Sequence, residues 1–134
     1  MQATLIVTIA LHVLAGVFWA GSTFVLARTG TSQAQQLFKP QMGAATVAVV
    51  TGGALWFLLH RGPAGIQEHI LGVGAASALL AAGIQGLGAW TMRQPVAAGP
   101  SGAFAPDNRL AASQRIAAVL LAITAACMAA ARYA

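Results

Sequence analysis

The chain has 134 residues, 58% of them hydrophobic and 7% charged, with a formal net charge of +5 and a mean hydropathy of +0.76. A soluble domain carries about a quarter charged residues, so this composition excludes an ordinary soluble enzyme and a disordered tail. Seven scattered Lys and Arg residues form no basic patch, which excludes a nucleic-acid binder and leaves lipid as the solvent.

A bilayer core about 30 Å thick needs about 20 apolar residues per helix. Four stretches meet that length, at about 4–28, 41–60, 66–91 and 109–132. They are too long for barrel strands, and helices satisfy their own backbone groups in lipid. The expected fold is an all-α integral membrane four-helix bundle, with residues 1–134 forming a single membrane domain in contact with the lipid bilayer.

The first span is too long for a cleaved signal peptide, lacks a basic start and closes at Arg28. It holds His12, the one titratable residue plainly inside a span. An ionisable group at such depth is costly and is a functional candidate by default. Gly16 and Trp19, at i+4 and i+7, share its face, and Thr8 extends the stripe one turn. A small residue beside a histidine with a large aromatic below suits a flat cofactor or metal pocket. The same stripe equally suits a neutral imidazole bonded across the bundle to Gln85 or a threonine.

Residues 28–41 read as a polar connector, with Ser32 and Gln35 spaced for a short capped helix. The second span ends in Trp56 and Phe57, an outer aromatic belt, before a turn through Gly62-Pro63. His60 and His69 bracket that turn. Gly72, Gly74, Gly83, Gly86 and Gly88 line the third span and allow close helix packing. That packing is expected within one chain, with a homodimer through the glycine face as the alternative. Residues 91–109 are broken by Pro95, Gly99-Pro100 and Pro106, and Asp107 or Asn108 is placed to cap the fourth helix. Gln114 and Arg115 fall in its first turns. The run from Ile116 to Ala131 is mostly alanine and needs neighbours to stay inserted.

Arg28, Lys39, Arg93, Arg109 and Arg115 belong to one end of the bundle, and Arg61 and Arg132 to the other. The positive-inside rule then puts the protein in the inner (cytoplasmic) membrane as a multi-pass protein with both termini outside. This orientation brings His12, His60, His69, Glu68, Cys127 and Met128 into the outer half. Imidazole and sulfur donors suit copper, copper(I) especially, and two imidazoles from different helices suit haem b. The candidate metal ligands are therefore His12, His69, His60 and Met128, and the candidate cofactor-binding residues His12, Gly16 and Trp19. Against this, His60 reads more readily as a wet interfacial residue and Cys127 as a small core residue. A haem held by His12 and His69 must also bridge a depth difference of roughly 9 Å. No Cys-x-x-Cys-His, HExxH, nucleophile–base pair or paired carboxylates occur, so bond-making catalysis is not expected.

The stretch Leu11-His12-x6-Trp19-Ala20-Gly21-x2-Phe24-x2-Ala27-Arg28 resembles the opening helix of the copper-resistance D (CopD-like) family. Thr51-Gly52-Gly53 resembles the second helix of the same family. The first helix is also similar to that of HemJ-type protoporphyrinogen oxidases. The resemblance covers about the first 60 residues and implies a four-helix unit with a histidine-based site, for copper in one family and haem b in the other. Only His12 carries over as a ligand. After Trp19-Ala20-Gly21 the chain reads Ser22-Thr23-Phe24-Val25-Leu26-Ala27-Arg28, not the Pro-Arg-Leu-Phe segment and histidine of HemJ proteins. Their Arg-x-x-Asn-Glu sequence is also missing, so protoporphyrinogen oxidation is not expected.

Two functions follow as expectations. One is metal handling or electron transfer at a histidine-centred outer-half site. The other is an accessory subunit of a larger membrane complex, with no cofactor of its own.

Overall fold

The computed structural model describes residues 2–29, 34–59, 62, 65–93 and 106–134. They form α1 (Gln2–Thr29), α2 (Ala34–Leu59), α3 (Ile66–Arg93) and α4 (Pro106–Ala131), with no strand among them. All four helices are long and apolar enough to cross a membrane. The protein is an all-α four-helix bundle, compatible with a small multi-pass membrane protein.

The helix ends follow local chemistry. Arg28 lies in the last turn of α1, where a cation complements the helix dipole. At the start of α3 the Gly65 N–H donates to Glu68 Oε2 at 2.7 Å, and the His69 N–H donates to the Gly65 carbonyl at 3.2 Å. This is half of a capping box, with Gly65 in the cap position and Glu68 reaching back. Pro106 opens α4, a position where its missing N–H has no helical partner to lose. Asp107 and Asn108, expected as caps, fall inside the helix instead.

The largest departure from expectation is in α2. It begins at Ala34 and runs through Pro40, whereas residues 28–41 read as a connector. Proline removes one interior donor, the one that would reach the Gln36 carbonyl, but the helix continues past it. The consequence is functional geometry, because Gln41 becomes an interior residue of a helix. The expected Ser32 cap, the Gly62-Pro63 turn, Pro95, Gly99-Pro100 and His60 fall wholly or partly outside the described residues.

Neighbouring helices run antiparallel around a ring. The α3–α4 and α1–α2 seams are the most extensive, α1 also packs on α4, and α2 meets α3 least. Helices α1 and α3 are diagonal to each other. The centre is built from Trp19, Ala45, Ala48, Ala81, Ala117 and Leu121, so one indole sits among small side chains. A second cluster, Leu26 and Leu110 with Leu37, closes the cation-rich end. In lipid, such small residues bring helices close enough for dispersion to hold them. The glycines divide accordingly. A Cβ at Gly74 would stand 3.0 Å from Cys127 Cβ, and one at Gly88 3.0 Å from Ser113 Oγ, whereas Gly16, Gly72, Gly83 and Gly86 have open surroundings.

Candidate functional site

Two polar constellations lie inside the bundle, at different depths. The deeper-buried one is a layer of amides. Thr23 from α1, Gln41 from α2, Gln85 from α3 and Gln114 from α4 are each at most 2% exposed, as is Trp19. Each of the four lies five or six residues inside the same end of its span, about 8 Å at helical rise. The Trp19 indole N–H donates to Gln85 Oε1 at 2.8 Å. Gln85 Nε2 donates to Thr23 Oγ1 at 2.9 Å and Gln114 Oε1 at 3.1 Å. Gln41 Nε2 donates to the same two oxygens at 2.8 and 3.3 Å.

The Thr23 hydroxyl donates to the Trp19 carbonyl at 2.8 Å, so its single donor and both lone pairs are engaged. Gln114 Oε1 likewise accepts twice. Gln114 Nε2 reaches Gln41 Oε1 at 3.5 Å, the long edge of the set. Amides do not titrate and offer no nucleophile, so this layer does no acid–base work. It ties all four helices together, including the diagonal pair, at one height.

The second constellation surrounds His12. Its imidazole is half-buried and lies over Gly52, where a Cβ would stand 2.9 Å from Cε1. Only glycine leaves the ring room against α2 in this pose. Nδ1 lies 2.9 Å from the Ala48 carbonyl oxygen and 3.1 Å from Thr51 Oγ1. The Thr51 hydroxyl donates back to the Val47 carbonyl at 2.6 Å. A carbonyl only accepts, so Nδ1 carries the proton, and a neutral ring then keeps its lone pair on Nε2. The histidine bonds a threonine across the bundle, one of the two partners expected; Gln85, the other, is engaged by Trp19.

The remaining candidates are spread out. Trp19 packs at the bundle centre with its indole N–H on Gln85, while His12 reaches towards α2, so the two do not face one pocket. Gly16, between them, is half-buried with nothing within 4 Å of a Cβ. His69 is exposed, and its Nδ1–H donates to the Gly65 carbonyl at 2.6 Å, adding to the start of α3. Met128 is 44% exposed on the outside of α4, and Cys127 packs against Gly74. His12 and His69 belong to the diagonal helices. Among the described residues, no group of three or more His, Cys, Asp or Glu is placed to hold a metal. His60 lies outside the described residues.

The sequence reading missed Gln41 and Gln114 as partners. Their common depth emerges only once α2 runs through Pro40: Gln41, Gln85 and Gln114 then lie at equal distances from the ends of their spans, at the same end of the bundle. The chain matches no protein-family model, no curated protein and no solved structure.

Proposed function

We propose that this membrane protein uses His12 as a single imidazole ligand to a membrane-embedded metal centre, in electron transfer or metal handling. The observation that supports it is the Nδ1–H bond to the Ala48 carbonyl. Metal-ligating histidines commonly donate one ring N–H to a carbonyl, which orients the ring and leaves the other nitrogen for the metal. Among the described residues, the other expected donors stand apart from His12: His69 is exposed and Met128 lies on the outer face, while Trp19, expected to line the pocket, belongs to the amide layer. One imidazole fits haem b better than copper. Haem would bring four nitrogens of its own, so that His12 alone would suffice from the protein, whereas copper would need several soft or imidazole donors. We place the cation-rich end in the cytoplasm of a cell with an inner membrane, with both termini outside.

The test is an optical spectrum with iron and copper analysis on detergent-purified protein and its His12→Ala variant. A Soret band and bound iron that vanish in the variant support the reading. Stoichiometric copper lost in the variant favours copper over haem. Neither metal in the parent protein overturns both. A C-terminal reporter active only in the cytoplasm would reverse the orientation.

A second reading, an accessory subunit of a larger complex, rests on the closed amide layer. With its bonds completed inside one chain, the bundle needs no cofactor to hold its shape. Native gels after gentle solubilisation discriminate: co-migration with a much larger assembly favours this reading, and a free monomer counts against it.

A further inference from the structure

At the end of the bundle that carries both termini, the two long seams are packed differently. On α3 and α4, Gly74, Ser77, Thr124 and Ala131 are buried there, whereas no described residue of α1 before Trp19 or of α2 after Ala48 is. His12 lies in this looser half, and the polar groups on its face continue outward. Thr8 and Thr4 precede it at four-residue steps of about 6 Å rise each, so the three share one side of α1. Thr8 and His12 are half-buried, and Thr51 adds a hydroxyl oxygen from α2 at 3.1 Å from Nδ1. The Thr8 hydroxyl donates to the Thr4 carbonyl at 2.8 Å and the Thr51 hydroxyl to the Val47 carbonyl. Both oxygens keep lone-pair capacity for outside donors. Nothing of the kind continues inward. From Val13 to Phe18, α1 has no polar side chain, and Ala45, Ala48, Ala81, Ala117 and Leu121 close around the Trp19 indole.

We infer that the α1–α2 seam is a one-sided polar inlet, which admits water and small hydrophilic solutes from the end with both termini as far as His12 Nε2. The unpartnered nitrogen carries the argument. Both hydrogen bonds of the ring are at Nδ1, and among the described residues none reaches Nε2. Hydrocarbon offers such an acceptor no donor, and leaving it dry is costly. Water reaches it along the threonine oxygens. From the opposite end it would have to pass the Trp19 plug and break the amide layer, whose members are at most 2% exposed. The inlet deepens the reading of His12 as a ligand, because a metal site needs an entry path. That use rests on the ligand reading; the inlet itself does not, since water reports it with or without a metal.

Cysteine labelling in sealed vesicles of known orientation tests the inlet, in a Cys127→Ala background. A charged, membrane-impermeant methanethiosulfonate reacts with thiolate, which forms in water and is suppressed in apolar surroundings. Thr8→Cys and Thr51→Cys are compared with Val7→Cys and Val50→Cys, one residue away and 56% and 64% exposed as valines. From the termini end, the threonine positions are expected to react at least about tenfold faster than the valine positions. Ser22→Cys, beyond Trp19, is expected to stay unlabelled from that end. Equal rates at the four positions, or faster labelling from the cation-rich end, overturns the inference. A second readout needs no cysteine. In the unsubstituted protein, NMR magnetisation transfer from water to the His12 imidazole is expected, with none to the Gln85 side-chain amide. Thr8→Leu plugs the inlet and is expected to abolish the transfer to His12. No transfer in the unsubstituted protein, or undiminished transfer in Thr8→Leu, also overturns the inference. Passing both tests without binding a metal would sink the ligand role and still support the inlet.

Discussion

The amide layer and the histidine level sit in one bundle but differ in how their polar groups are completed. In the layer, Trp19, Thr23, Gln41, Gln85 and Gln114 supply one another's partners from all four helices. At the histidine level, two helices share one bond set, and His12 is fixed through Nδ1 alone. The first arrangement holds the fold and has no reactive atom. The second is lightly tied and presents a nitrogen lone pair. A closed network and an open-ended one therefore lie at two different depths of the same bundle.

The largest effect that would break this contrast is at Gln85. Gln85→Leu removes three bonds and strands the Trp19 indole N–H inside the bundle. Interhelical bonds in membrane proteins average about 0.6 kcal/mol, but a buried donor left without a partner costs about 1–3 kcal/mol more. The expected loss is roughly 2–4 kcal/mol, read from a denaturing-detergent titration in mixed micelles. Gln41→Leu should lose less, about 1–2 kcal/mol, since two of its three bonds are long, at 3.3 and 3.5 Å. His12→Ala, with its single anchored nitrogen, should lose least of the three. A His12→Ala variant as unstable as Gln85→Leu would mean that the histidine level is structural after all.

The same division explains what the sequence disclosed. Length and hydropathy define the four spans because the bilayer thickness is a one-dimensional constraint. His12 stands out because an ionisable residue in such a span is rare. The layer was harder to see, since it depends on rotation about each helix axis as well as depth. Gln41 also sat behind Pro40, which as a local signal argues for a helix boundary that the fold overrides. The spread of His12, His69 and Met128 has the same origin: shared depth does not give shared direction, and the diagonal placement of α1 and α3 separates the two histidines.

Glycine packing sharpens the comparison at intermediate magnitude. At Gly74 an added Cβ meets Cys127 Cβ at 3.0 Å and the Thr124 backbone at 3.5 Å, and neither can swing away. Thr124 Oγ1 also donates to the Gly74 carbonyl at 3.0 Å, so parting α3 from α4 would lose that bond too. Overpacking costs about 1–3 kcal/mol, against a helix-propensity gain of about 1 kcal/mol for alanine over glycine. Gly74→Ala should therefore destabilise the bundle. Gly83→Ala, with open space around it, should stabilise it by up to about 1 kcal/mol. The same titration ranks them, and equal shifts would count against the α3–α4 contact.

The smallest stability effect belongs to Gly52→Ala, and it carries the most information about the histidine. The new Cβ would stand 2.9 Å from His12 Cε1 and 3.4 Å from Nδ1, but an imidazole ends a flexible side chain and can rotate clear. Losing the Ala48 bond costs about 0.5–1.5 kcal/mol, and alanine returns about 1 kcal/mol through helix propensity. The net change should be near zero, while the ring loses the acceptor that holds its proton on Nδ1. Imidazole ¹⁵N shifts in the reconstituted protein should thus move from one tautomer towards a mixture, with little change in the unfolding midpoint. A fixed tautomer in Gly52→Ala would show that something other than the Ala48 carbonyl orients His12, and the ligand-like pose would lose its physical basis.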